Sequence, residues 1–183
     1  CEAGIEVTSL PGACACITAL TISGLETRRF AFEAFLPAEK KERQAVFGEL
    51  KNETRTILLY EAPHRLVKTL KELLEELGDR KIAVCRELTK VHETALRTTI
   101  AEALAYYETH EPKGECVLVI QGKSRRKICQ EQQAAWRELT VWEHMDRYLS
   151  QGIDRKEAMK LVAKDRGVGK REIYQALLDV QEP

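Results

Sequence analysis

The stretch ILLYEAPHRLVKTLKELLEELG, Ile57 to Gly78, constrains the fold more than any other part of the chain. Ile57, Leu58, Leu59 and Tyr60 make a short apolar run with an aromatic tip, the pattern of a buried strand. Leu66, Leu70, Leu73, Leu74 and Leu77 then recur at helical spacing, with Pro63 suited to the first turn and Gly78 to a left-handed stop. A buried strand that empties directly into an amphipathic helix requires layers in which sheet and helix cover one another. His64 and Arg65 do not follow from that requirement. Cations at a helix N-terminus forgo roughly 0.3–1 kcal/mol that Asp or Glu would supply, so folding alone does not select them.

The same alternation runs from Val7 to Gly122 and predicts an α/β domain with a mixed sheet flanked by helices. Strands are expected at Val7 to Leu10, Arg29 to Phe35, Arg55 to Tyr60, Lys81 to Arg86, Glu93 to Thr99 and Glu115 to Gln121. Helices are expected at Ala13 to Ser23, Lys41 to Lys51, Pro63 to Leu77 and Thr99 to Thr109. GKSRRK, Gly122 to Lys127, then reads as a basic linker, so the expected domains are residues 1–122 and 123–183. Beyond the linker the pattern is a compact set of three helices with a helix-turn-helix character. Trp136, Leu139, Trp142, Met145 and Leu149 form a stripe, Asp154 and Glu157 a capping arrangement, and Gly167 and Gly169 a turn.

Lysine plus arginine and aspartate plus glutamate number 29 each, so no global field draws the chain to nucleic acid or a membrane, and any RNA contact must be local. No apolar run approaches the length of a membrane span. The six cysteines lie mostly in apolar stretches without paired spacing, which fits a reducing cytoplasm. Cys14 and Cys16 lack the further ligands of a tetrahedral metal site, and no metal is expected. The glycine-rich phosphate loops and the GxSxG nucleophile signal are absent. Cys1 and the segment after it read as the continuation of a longer chain.

A second junction echoes the first. KIAVCRELTKVHE is apolar through Ile82 to Cys85 and then presents Arg86, Glu87, Thr89, Lys90 and Glu93. If the helix from Pro63 crosses between two parallel strands, both strand ends share one sheet edge. At a neighbouring-strand spacing of about 4.8 Å, Glu61, His64 and Arg65 would face Arg86, Glu87 and Lys90. Ligands of open α/β sheets bind at such an edge. An ion-pair network, Glu61 with Arg86 and Arg65 with Glu87, explains the same residues without a ligand. A third junction, SLPGACACITALTISGL, places Pro11 and Gly12 before a helix whose free N–H groups could approach a ligand, and its small residues equally suit tight packing.

SLPGACACITALTISGL, FEAFLP, LLYEAPHRL, RELTKVHE and PKGECVLVIQG, in this order and spacing, resemble the tetrapyrrole-methylase-like SAM-dependent methyltransferases, and within them the branch that acts on small-subunit ribosomal RNA. The resemblance covers Gly4 to Gly122 and continues through the helical tail. It implies the second, C-terminal domain of the family fold plus a small all-helical extension, with the glycine-rich SAM loop upstream and absent here, so this chain alone is expected to be inactive. It implies transfer of a methyl group from S-adenosyl-L-methionine to the ribose 2′-hydroxyl of a cytidine in the decoding region of 16S rRNA, within the 30S subunit, by a cytoplasmic homodimer. Carried over by residue, Pro11, Gly12, Tyr60, Glu61, Gly114 and Glu115 border the cofactor. His64, Arg65, Arg86 and Lys90 face the RNA, and Glu87, Glu93 or His64 takes the hydroxyl proton. Where the family pattern continues Pro-Ser-Ala, this chain has Ala13, Cys14 and Ala15. Two other functions stay open: methylation of a tetrapyrrole or other small molecule, and a helix-turn-helix nucleic-acid-binding regulator.

Overall fold

The computed structural model describes residues 1–179 and divides into an α/β unit, Cys1–Lys123, and a helical unit from Ser124 onward. The α/β unit holds five strands, β1 (Phe30–Phe35), β2 (Thr56–Glu61), β3 (Lys81–Arg86), β4 (Thr94–Thr99) and β5 (Cys116–Ile120). Its helices are α1 (Ala15–Ile22), α2 (Lys40–Leu50), α3 (Pro63–Leu77) and α4 (Ile100–Thr109). The sheet order is β1-β2-β5-β3-β4; β1 and β2 run parallel and every other neighbouring pair antiparallel. The chain is mixed α/β with a sheet flanked by helices, as its alternation predicts.

Period-two alternation sorts each strand onto two faces. Ile57, Leu59, Ile82, Val84, Leu118 and Ile120 pack under α2, α3 and α4, where Leu66, Leu70 and Leu73 are fully buried. Each such leucine supplies roughly 1.5–3 kcal/mol by leaving water. Leu58, Ala83, Cys85, Val117 and Val119 take the opposite face, covered by Cys16, Ala19 and Leu20 of α1. Thr99 caps α4 in a reciprocal box with Glu102, which is why that helix starts one residue after the expected boundary.

Three expectations are corrected. Val7 to Leu10 forms no strand: Val7 is 70 % exposed and Leu10 89 %, and none of the described strands offers that segment a ladder. Alternation marks a face to bury but does not provide the hydrogen-bonding partner a strand needs. The following helix correspondingly begins at Ala15 rather than Ala13. Second, the strands ending at Tyr60–Glu61 and Arg86 are parallel but not neighbours, because β5 inserts antiparallel to both. The separation between their ends is thus two strand spacings, about 9.6 Å rather than 4.8 Å. Third, GKSRRK is not a linker throughout: Ser124 accepts a hydrogen bond from the Lys127 amide and starts a helix at Arg125.

The helical unit has four helices among the described residues, α5 (Arg125–Arg137), α6 (Val141–Leu149), α7 (Arg155–Arg166) and α8 (Lys170–Asp179). The tryptophan stripe is cut by Thr140, which caps α6 with Glu143 in a second capping box. Trp136 on α5 stacks at 3.9 Å on buried His144 of α6, whose Nδ1 accepts from Arg166 of α7. Asp154 caps α7 as expected, and Gly167 ends it in the left-handed conformation. Met145, Ala158, Val162, Ile173 and Leu177 fill the core.

Glu53, just before β2, gives a pH prediction. Its carboxylate accepts from the Arg55 amide, Nε and Nη2 at 2.8, 3.0 and 2.6 Å. These bonds, the Arg55 side chain's first among them, hold its pKa down to about 2 from 4.5. A carboxyl depressed on folding stabilises above its unfolded pKa and loses that contribution as pH falls toward its folded value. Glu53→Gln should therefore lower the urea midpoint near neutrality, with the gap to the wild type closing below pH 4.5. A gap of equal size at about pH 3 would contradict this role.

Candidate functional site

β2 and β3 end, and β5 begins, on one sheet edge, with Glu61, Cys116 and Arg86 paired in a single row. Three of the motifs singled out in the sequence therefore converge there. α1 joins the same edge: its C-terminal Ile22 carbonyl accepts from Arg97 at the far part of the sheet, while Cys16 near its start packs with Tyr60. Pro11 and Gly12, both exposed, precede that start.

The sheet divides the expected residues between two faces. Tyr60 lies on the α1 face. Glu61, one residue on, lies on the α3 face and is 2 % exposed. Its Oε2 accepts from the Thr69 hydroxyl at 2.6 Å, its Oε1 accepts from the Ala62 amide at 2.8 Å, and Arg65 Nε approaches to 3.6 Å. The two carboxylate oxygens thus hold the first two turns of α3 onto the end of β2. Thr69 accepts from Arg43 Nη2, and Arg43 Nε donates to Glu72 at 2.6 Å, so a buried polar chain ties α2 to the site edge.

The anticipated pairs Glu61–Arg86 and Arg65–Glu87 do not form, because β5 stands between β2 and β3. Arg86 instead donates through Nε to the Lys113 carbonyl at 3.1 Å, and Lys90 Nζ meets Glu87 Oε1 at 3.2 Å. Arg86 also lies near the buried Tyr107 hydroxyl, whose pKa burial raises despite that arginine. His64 is exposed and lines a cleft of about 510 Å³ with Val67, Tyr107 and Glu108.

After β3 the chain folds tightly. Glu87 and Thr89 have φ of +50° and +64°, a region that costs non-glycine residues roughly 1–3 kcal/mol each. Glu93 accepts from the Thr89 amide at 2.7 Å, and the Lys90 amide donates to the Glu87 carbonyl at 3.0 Å, closing the loop on itself. This holds the Glu87 carboxylate over Gly114, where an added Cβ would fall 1.8 Å from Oε1. The RELTK and PKGE motifs meet at that point, while Glu115 beside it is exposed.

Sequence reasoning missed Phe32 and Phe35. In an unbroken strand their spacing puts them on opposite faces, but a bulge between Phe32 and Ala34, with Ala34 at φ +50°, shifts the register. Both rings then flank Tyr60, at 5.1 and 5.6 Å, and stand 45 % and 59 % exposed. The only sequence signal was the FEAF repeat at three-residue spacing inside an otherwise strand-like run. Among the described residues no group of three or more His, Cys, Asp or Glu gathers in metal-holding geometry, and no helix is long and apolar enough to cross a membrane.

Known proteins are similar to most of this chain. A protein of Bacillus subtilis (strain 168) named "Ribosomal RNA small subunit methyltransferase I" is 45 % identical over 175 residues, covering 96 % of this chain and 60 % of its own. Proteins of the same name from Halalkalibacterium halodurans and Synechocystis sp. are 43 % and 41 % identical, with 93 % and 98 % of this chain covered and 58 % and 63 % of theirs. The chain thus spans about 60 % of the length of these curated relatives. A solved cobalamin biosynthetic enzyme, cobalt precorrin-4 methyltransferase, superposes with a TM-score of 0.45 at 19 % identity over 64 % of this chain and 53 % of that one, too distant to argue from. The family profile described as Tetrapyrrole (Corrin/Porphyrin) Methylases matches residues 1–104, and the chain belongs to that family.

Proposed function

We propose that this chain is part of a SAM-dependent methyltransferase that modifies the ribose 2′-hydroxyl of a cytidine in the decoding region of 16S rRNA, within the 30S subunit, as a cytoplasmic homodimer. The observation that carries the reading is the convergence of the YEAPHR, RELTK and PKGEC motifs on one sheet edge, in a chain whose relatives bear a ribosomal RNA methyltransferase name.

The α1 face fits one wall of a cofactor site. Phe32 and Phe35, both exposed, flank the partly buried Tyr60 and present an aromatic surface suited to stacking on a purine and to attracting a sulfonium cation. Gly114 and Glu115, with Glu61 bracing the strand end, would complete that wall. S-adenosyl-L-methionine supplies an electrophilic methyl group when bound. His64, Arg65, Arg86 and Lys90 would hold phosphates and ribose hydroxyls, and their task is positioning, since displacement at a methyl carbon demands an in-line oxygen. Arg65 retains its outer face for this, its side chain being 32 % exposed. The hydroxyl proton passes to Glu87, Glu93 or His64, of which Glu87 sits where two motifs meet.

The test is tritiated methyl transfer to unmethylated 30S subunits by the whole protein, with its upstream part present. Arg65→Ala and Arg86→Ala are expected to lower transfer on the order of tenfold or more, far more than they lower folding stability. Equal losses of activity and stability would assign both arginines to structure alone. Alkali-resistant label in 16S rRNA supports ribose methylation. SAM-binding protein that transfers nothing to rRNA would move the function to a small-molecule substrate, the reading the family description favours. Tight duplex DNA binding without SAM, lost on Lys170→Glu and Arg171→Glu, would instead support a helix-turn-helix regulator.

A further inference from the structure

We infer that Cys14 and Cys16 form an oxidation-sensitive dithiol that closes into a reversible disulfide at the start of α1. Their sulfurs lie 3.2 Å apart, and both are free thiols. Among the described residues no other two cysteine sulfurs are within hydrogen-bonding reach of one another. With the sulfurs already this close, the two cysteines need not be carried together from a distance by the backbone, which is the usual obstacle to forming a disulfide.

The two thiols have different surroundings, and the difference assigns their roles. Cys14 is exposed and occupies the N-cap position of α1, where the unsatisfied amides favour a thiolate. No capping hydrogen bond forms, yet the Ile17 amide, followed by the Cys16 thiol, holds the Cys14 pKa below the usual thiol value. Cys16 is buried against Tyr60, and desolvation first, then Cys14, raises its pKa. Cys14 is therefore the attacking group and Cys16 the resolving one. Cys85 and Cys116 are pushed up to about 11 by burial and stay inert, while Cys1 and Cys129 are exposed without a second sulfur beside them.

The oxidant is a hydroperoxide. The Cys14 thiolate attacks its distal oxygen, an S–O bond forms as the O–O bond breaks, and the departing oxygen takes a proton to leave as alcohol or water. Cys16 sulfur then attacks the sulfenic sulfur; the S–S bond forms, the S–O bond breaks, and hydroxide leaves with the Cys16 proton as water. Two thiols have lost two electrons and two protons, and the hydroperoxide has gained them. The product ties the N-cap of α1 to its first turn, beside Pro11, Gly12 and Tyr60. An effect on cofactor binding rests on the function proposed above; the dithiol itself does not.

The experiment exposes the chain to hydrogen peroxide, quenches with N-ethylmaleimide and maps the peptides by mass. The expected product is a peptide carrying both Cys14 and Cys16, two hydrogens lighter and unlabelled, restored by dithiothreitol. It should form roughly tenfold faster than Cys129 oxidises. In Cys16→Ser the reaction should stop at a Cys14 sulfenic acid that dimedone captures. Cys14 oxidising at the rate of Cys129, or reaching sulfinic acid while Cys16 remains labelled, would overturn the inference. None of these readings uses methyl transfer, so they stand apart from the fate of the proposed activity.

Discussion

Arg43→Met is expected to destabilise the α/β unit by about 3 kcal/mol, the lower end of the range for breaking a buried ion pair. Arg43 is 6 % exposed, meets Glu72 at 2.5 Å, donates to Thr69 at 2.9 Å and lies over the Phe47 ring. Removing it leaves Glu72 with the more distant, exposed Lys68 at 3.9 Å as its counter-charge and takes one partner from Thr69, which itself orients Glu61. Glu72 is 26 % exposed, so water offsets part of the loss and the upper end of the range does not apply. Replacing Arg43 and Glu72 together by Met and Leu removes both charges, and the double variant should recover most of the lost stability. The chain's two tryptophans, Trp136 and Trp142, lie in the helical unit, so the transition of the α/β unit is read by far-UV circular dichroism in guanidinium rather than by tryptophan fluorescence. A loss below about 1 kcal/mol would place this pair with exposed salt bridges that contribute little.

Arg43 also shows where sequence reading stops. The chain of buried polar groups links residues 29 and eight positions apart through hydrogen bonds, and such distances leave no periodic trace. Elements written by local pattern were legible: the leucine repeat of α3, the Thr99 start of α4 and the Asp154 cap of α7 all stand near where spacing and capping chemistry put them. Partnership was not. The alternation at Val7 to Leu10 could not reveal that no described strand would pair with it, and the apolar run at Cys116 to Ile120 could not reveal that it enters between two earlier strands. That insertion changed the site, replacing the anticipated Glu61–Arg86 and Arg65–Glu87 pairs by Arg65–Glu61 and Lys90–Glu87. The aromatic cluster depended on a bulge, a one-residue slip that moves Phe35 onto the face of Phe32 and that strict alternation would have denied.

Gly114→Ala is expected to cost the whole protein on the order of a hundredfold in methyl transfer, with only about 1 kcal/mol lost in stability. The backbone at Gly114 has φ +73°, which accounts for the modest destabilisation. The larger effect arises because the new methyl group would lie 1.8 Å from Glu87 Oε1, 2.4 Å from Cδ and 2.8 Å from Cγ. Glu87 cannot yield by shifting its backbone, which is fixed at φ +50° with its carbonyl bonded to the Lys90 amide. Its side chain must therefore swing away, releasing Lys90 and the carboxylate from the edge where they would meet the ribose. Displacement of a reacting group by about an ångström is enough for a hundredfold loss. If the effect passes through Glu87, adding Gly114→Ala to Glu87→Ala should reduce transfer no further, since the obstructing side chain is already gone. A Gly114→Ala protein retaining more than about half its activity would remove this meeting point from the proposed catalytic site, and a double variant far weaker than Glu87→Ala would mean that Gly114 acts through the proposed cofactor wall instead.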